Sequence, residues 1–221
     1  FWYATGNMAM AGFYRMLMEK RFLRKDGDFR TAEDFKGFRN FPCTTLNQYI
    51  YPNGWIVMGL QKAGAYDLAR HGLDFILRFQ DPKHGGFYYS FDAKRKKIDK
   101  RLMDSSSTAS AGSACLACGR IKEAIAAGEF ILRLLALQPE PDKYFFSCMK
   151  HDGQLHTDVF GSDDQWNPES RKQKCLAVGE DGLNELTWLI GKPTKFLVKL
   201  YLATGEKRFM TAAKRCFCFF H

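Results

Sequence analysis

The amino-acid sequence predicts an all-α fold: an α/α toroid of helical hairpins with small β-hairpins set into its long loops. Three observations predict it. Four segments end an apolar helix on a small residue and then a glycine: Ala4-Thr5-Gly6, Lys62-Ala63-Gly64, Ala117-Cys118-Gly119 and Ala203-Thr204-Gly205. Each is followed by an amphipathic stretch of helical period. The connections alternate, tight at the glycine and long at the other end. A parallel sheet needs buried strands between the helices, and a plain solenoid keeps its loops short at both ends.

The elements follow in chain order. Helices are expected from Asn7 to Phe22, Ala65 to Phe79, Arg120 to Leu137 and Glu206 to Phe220. Gly stops a helix well because it tolerates the left-handed conformation just past the end. A second helix precedes three of the glycines: Trp55 to Ala63, Thr108 to Cys118 and Pro193 to Ala203. Asn53 suits an N-cap for the first, and Ser105 to Thr108 offer several caps for the second. Pro193 suits the first turn of the third. The loops repeat as well, since Gly27 follows Gly6 and Gly85 follows Gly64 at the same spacing of 21 residues. Two β-hairpins are expected, Gly86 to Asp92 with Ile98 to Met103, and Tyr144 to Met149 with Leu155 to Val159 around the turn His151-Asp152-Gly153.

Composition bounds the class. The chain has 221 residues, 46% hydrophobic, 26% charged and 15% aromatic, which excludes a disordered chain, a collagen and a small disulfide knot. It reads as one domain over residues 1–221. The formal net charge is +9. The densest basic run, Lys94 to Arg101, falls at a hairpin tip, where solvated charge is the ordinary reading. No Arg/Lys stripe and no nucleic-acid motif accompanies it, so no nucleic-acid partner is expected. No uninterrupted apolar run is long enough for a transmembrane helix, so no membrane partner is expected either. Seven cysteines, an odd number, mostly sit in apolar helical text. Cys115 and Cys118 lie in an Ala-rich helix with no second pair, so they read as core, with no metal and a cytoplasmic setting.

The run Phe79 to Asp92, containing Asp81-Pro82-Lys83-His84-Gly85-Gly86-Phe87, resembles the N-acylglucosamine 2-epimerase/cellobiose epimerase family, as does Ile98 to Arg101 after it. Leu200 to Phe209 is similar to the hairpin turns of that family and of other six-hairpin proteins. The resemblance covers about residues 55–135 and 185–221. It implies a toroid, an isomerase or epimerase acting on a carbohydrate by acid/base proton transfer, and a pair of histidines for that work. Terpenoid cyclases share the toroid, so a cyclase acting on an apolar substrate is the rival reading. A non-catalytic helical scaffold is a third. The start Phe1-Trp2-Tyr3-Ala4-Thr5-Gly6 matches Leu200-Tyr201-Leu202-Ala203-Thr204-Gly205. The expectation is therefore a partial ring, completed by the remainder of a longer chain or by a second copy.

In such a ring the long loops and inner-helix starts face the mouth, so polar groups there are the candidates. Asp104 precedes an inner helix; it suits a general base or a hydroxyl acceptor, and equally an N-cap. His151 and His156 flank the second hairpin, and His84 sits in the Gly-Gly turn; each is a candidate acid or base, or an ordinary turn residue. His71 reads as structural. Tyr49, Tyr51, Trp55 and Tyr88 are candidate cavity liners for a small-molecule substrate. Asp163, Asp164 and Trp166 form a polar loop with paired carboxylates and an aromatic that suits a sugar ring. No nucleotide loop or nucleophile elbow is present, so a cofactor-free reaction is expected.

Overall fold

The computed structural model describes residues 4–29, 50–92, 97–139, 145–157 and 188–218. Helix α1 (Met8–Leu17) runs into a short π-helical turn (Met18–Phe22). Three helical hairpins follow: α2 (Ile50–Lys62) with α3 (Tyr66–Leu77), α4 (Ser105–Ala117) with α5 (Ile121–Ala136), and α6 (Trp188–Thr204) with α7 (Lys207–Cys218). Between them lie β1 (Tyr88–Asp92), β2 (Lys97–Asp104) and β3 (Cys148–Lys150). The described part is thus mainly α with one small sheet. The repeated turns are uniform, with Gly6, Gly64, Gly119 and Gly205 at φ of 75°, 74°, 74° and 75°.

Helix α4 packs between α2 and α6, while α3 and α5 lie behind them and α7 packs on α5 and α6. Helices α2, α4 and α6, the first of each hairpin and the inner layer of this packing, run parallel with their N-termini at one end. Ser105 opens α4 and donates to the Leu189 carbonyl near the start of α6 (2.8 Å), and Ser110 donates to the Tyr51 carbonyl at the start of α2 (3.0 Å). Small residues permit this approach. A Cβ on Gly54 would meet the Ser110 side chain and backbone, and one on Gly112 would meet the Phe196 ring. The core is aromatic, with Phe29, Phe75, Phe79, Phe87, Phe130 and Phe196 among its largest fully buried side chains.

The loop repeat goes deeper than spacing. Phe29, two residues past Gly27, donates its N–H to Asn53 Oδ1 at 2.9 Å. Phe87, two residues past Gly85, donates its N–H to Thr108 Oγ1, also at 2.9 Å. Asn53 and Thr108 are each the fourth residue of the next inner helix. The first two hairpins therefore each pin the preceding loop with one polar side chain from their first helix.

Several expected boundaries move. Helix α2 begins at Ile50, so Asn53 is inside it and ties the Asp28-Phe29 loop instead of capping. Pro52 is tolerated there because first-turn N–H groups have no intrahelical acceptor. Asp104, not one of the serines, caps α4 by accepting from Ser107 N at 2.6 Å. The two expected hairpins join into one antiparallel sheet of order β1-β2-β3, with Leu155 bridged to Met149.

Pro193 lies well inside α6. It has no N–H for the carbonyl four residues back, which is that of Leu189. The Ser105 hydroxyl takes that place. Ser105→Ala is expected to lower stability by about 1–3 kcal/mol, because a buried carbonyl loses its donor. In a Pro193→Ala background the loss is expected to shrink, since a backbone N–H then reaches Leu189. Urea unfolding of the four proteins in a double-mutant cycle checks this, and strictly additive losses refute it.

Candidate functional site

The parallel start of the inner helices gathers side chains from distant parts of the chain. Tyr51 and Trp55 come from the first two turns of α2, with ring centroids 4.3 Å apart. Lys192 comes from α6 and sets its Nζ 3.5 Å from the Tyr51 ring centroid and 5.0 Å from that of Trp55. Lys192 therefore reaches across the start of α4, where Asp104 stands. Side chains of α2 and α6 thus meet beside that helix.

The electrostatics follow from burial. Lys192 is half-buried, and loss of water pulls its ammonium down to about 8, although the Asp104 charge opposes the shift. Burial raises the Asp104 carboxyl above its ordinary value, while hydrogen bonds from Ser107 and Ser106 and the charge of Lys192 pull the other way. Burial also raises the Tyr51 phenol. A carboxyl raised and an amine lowered beside each other are groups whose proton affinities approach neutrality from both sides.

Strand register decides which histidines share this face. Met103 pairs with Met149 and Tyr88, and Met149 with Leu155, so these four side chains form one row on the core face. Asp104 pairs with Cys148, and His156 donates its N–H to the Cys148 carbonyl (2.9 Å). Asp104, Cys148 and the half-buried His156 therefore lie in a second row on the opposite face.

The other candidates gather away from Asp104. Tyr88 Oη donates to Asp81 Oδ1 at 2.8 Å and lies 2.7 Å from His151 Nδ1. A phenol has one hydrogen and the carboxylate only accepts, so His151 Nδ1 must donate to Tyr88. Burial and the Asp81 carboxylate raise the Tyr88 phenol strongly. Asp81 also accepts the His84 N–H at 2.7 Å, and His84 Nδ1 accepts from Arg133 at 2.8 Å. The buried His84 ring is covered by Gly153 of the second hairpin turn, where a Cβ would come within 2.7 Å of its Cε1. This cluster clamps the loop after α3 to the turn after β3.

Of the predicted residues, Asp104, Tyr51 and Trp55 come together at the inner-helix starts, and His156 shares the Asp104 face. His84, Tyr88 and His151 form the separate clamp. Tyr49, Asp163, Asp164 and Trp166 lie outside the described residues. Lys192 was not among the predicted residues; its sequence signal is a lysine set directly before Pro193, after the apolar run Trp188 to Ile190. Cys115 is buried and its thiol is pushed up to about 12, which fits core packing. Among the described residues, no group of three or more His, Cys, Asp or Glu is placed to hold a metal ion. Among the same residues, no helix is long and apolar enough to cross a membrane.

No protein-family model matches the chain. No curated protein matches it significantly. Among solved structures, a D-mannose isomerase is similar, with 14% identity over 76% of this chain and a TM-score of 0.53. The chain spans 43% of the length of that protein. At that identity the likeness is one of fold.

Proposed function

We propose that the chain is a sugar isomerase- or epimerase-like enzyme that moves a proton at the mouth of an α/α toroid. The observation that carries this reading is the meeting of Asp104, Lys192, Tyr51 and Trp55 at the parallel starts of three inner helices. The fold likeness to a D-mannose isomerase supports the choice of a sugar. The parallel packing of α2, α4 and α6, with α3 and α5 behind them, supports the toroid.

Each group has a task. Tyr51 and Trp55 offer faces for the C–H side of a sugar ring. A desolvated carboxylate is a stronger base than one in water, so Asp104 takes the proton from the carbon next to the carbonyl. The electron pair released moves toward the carbonyl end, where Lys192 supplies a positive pole. His156, on the same face as Asp104, is the second candidate acid. A charged pair at the mouth suits a polar substrate better than the apolar one a cyclase takes.

Incubation in deuterated water with D-mannose, D-glucose, an N-acylglucosamine and cellobiose tests the reading. Deuterium is expected at the carbon next to the carbonyl of at least one of them, read by NMR. No exchange with any of the four overturns it.

A further inference from the structure

Resting on that reading, we propose that Lys192 supplies its positive pole covalently: Nζ forms an imine with the aldehyde carbon of the open-chain sugar, and Asp104 carries the protons. The geometry supports the bond. Lys192 is half-buried, its Nζ is held over the Tyr51 and Trp55 rings at 3.5 and 5.0 Å, and the Asp104 carboxyl acts on it from the β2–α4 junction. An ordinary lysine is almost wholly protonated at neutral pH and adds only slowly to an aldehyde. Burial lowers the Lys192 ammonium to about 8, so the neutral amine is more accessible at neutral pH than on an exposed lysine. The aromatic faces that favour an ammonium favour an iminium in the same place.

The step balances. The Nζ lone pair forms a C–N bond to the aldehyde carbon, and the C=O π pair moves to oxygen. A proton passes from nitrogen to that oxygen through Asp104. Asp104 next takes up a proton from solvent and passes it to the hydroxyl, which leaves as water as the nitrogen lone pair closes the iminium. The Asp104 carboxylate next takes the proton from the neighbouring carbon. That C–H pair becomes the C=C of an enamine as the iminium π pair returns to nitrogen. A solvent water gives a proton to the other face of that carbon and restores the iminium, while Asp104 returns the proton it took to solvent. Water then adds to the iminium carbon, its proton passes to solvent, and the C–N bond breaks to release the sugar aldehyde and the amine.

The imine also selects the outcome. If the enamine instead becomes a ketone at the neighbouring carbon, the first carbon keeps a C–N single bond that water does not cleave. A site working through Lys192 therefore inverts the carbon next to the aldehyde and releases an epimer, not a ketose. The free enzyme must bring an amine, so kcat/KM is expected to climb as pH rises toward 8 and then level. An ammonium acting by charge alone makes it fall there. Tyr51 from α2 and Asp104 are the titratable groups set against Lys192 among the described residues.

The test is cyanoborohydride with D-mannose at neutral pH, with peptide mass mapping of the 221-residue chain. One reduced hexitol is expected on Lys192, forming at least about tenfold faster than on the exposed Lys122 and Lys207. Lys192→Arg keeps a cation over the rings and is expected to lose about 10³-fold in deuterium exchange. Exchange by the wild type without an adduct at Lys192, or exchange by Lys192→Arg within tenfold of wild type, overturns the imine and leaves the isomerase-like reading standing. An adduct on Lys192 with no exchange on any sugar does the reverse.

Discussion

Asp104→Asn is expected to leave the chain folded and to slow deuterium exchange by about 10²- to 10⁴-fold. The pairing of these outcomes follows from two roles on one side chain. As N-cap of α4, Asp104 needs an oxygen that accepts from Ser107 N, and asparagine provides one equally well. In its proposed role as base it needs a carboxylate, which asparagine lacks. Asp104→Ala removes both and adds a loss of about 1 kcal/mol in stability. Exchange rates by NMR and urea midpoints on the two variants separate the roles; an Asp104→Asn protein exchanging within tenfold of wild type reduces Asp104 to a cap. The raised carboxyl adds a pH signature. Its folded pKa lies above the unfolded one, so its stabilising share is fully present below the ordinary carboxylate value. That share is lost as pH rises through the folded value. Activity runs the opposite way across that window, because the base must lose its proton. Asp104→Asn is expected to flatten the stability trend as well as the rate.

The hairpin repeat was legible because its signals are local. A glycine past each outgoing helix, an amphipathic stretch after it and a loop glycine at fixed spacing are all readable within one repeat. Helix starts were less legible because proline was read as a boundary. Pro52 sits in a first turn, where no intrahelical bond is at stake. Pro193 sits deeper, and its carbonyl is served by Ser105 from another hairpin, which no local rule anticipates. Asp104 was legible as a carboxylate directly before a serine run. Lys192 was not, being one of 33 basic residues whose partners, Tyr51 and Trp55, lie in the first hairpin. Only the parallel packing of α2 and α6 against α4 joins them. His84 and His151 were legible as histidines but not as parts of a clamp. Their grouping depends on Asp81 and Tyr88 and on the joining of two expected hairpins into one sheet.

Gly85→Ala is expected to destabilise the chain by about 3–5 kcal/mol, the range reserved for mutations with an identifiable structural cause. Two effects add. Gly85 stands at φ +78°, where an L side chain is strained. Its added Cβ would also overlap the Ala126 carbonyl of α5, a backbone group fixed inside a helix that cannot swing aside. Gly119 separates the two effects. It has nearly the same φ, +74°, with nothing within 4 Å of an added Cβ. Gly119→Ala is therefore expected to lose only the conformational part, about 1–2 kcal/mol. Urea unfolding of both variants reads the difference, and equal losses remove the backbone contact from the account. The same loop holds Asp81 and His84, and Phe87 two residues on is tied to Thr108 in the first turn of α4. A displaced Gly85 therefore pulls on the helix that Asp104 caps. The Gly85→Ala protein is expected to lose exchange activity even where it stays folded, whereas Gly119→Ala, at the far end of α4, retains it. Equal retention by both, measured well below their unfolding midpoints, dismisses that coupling.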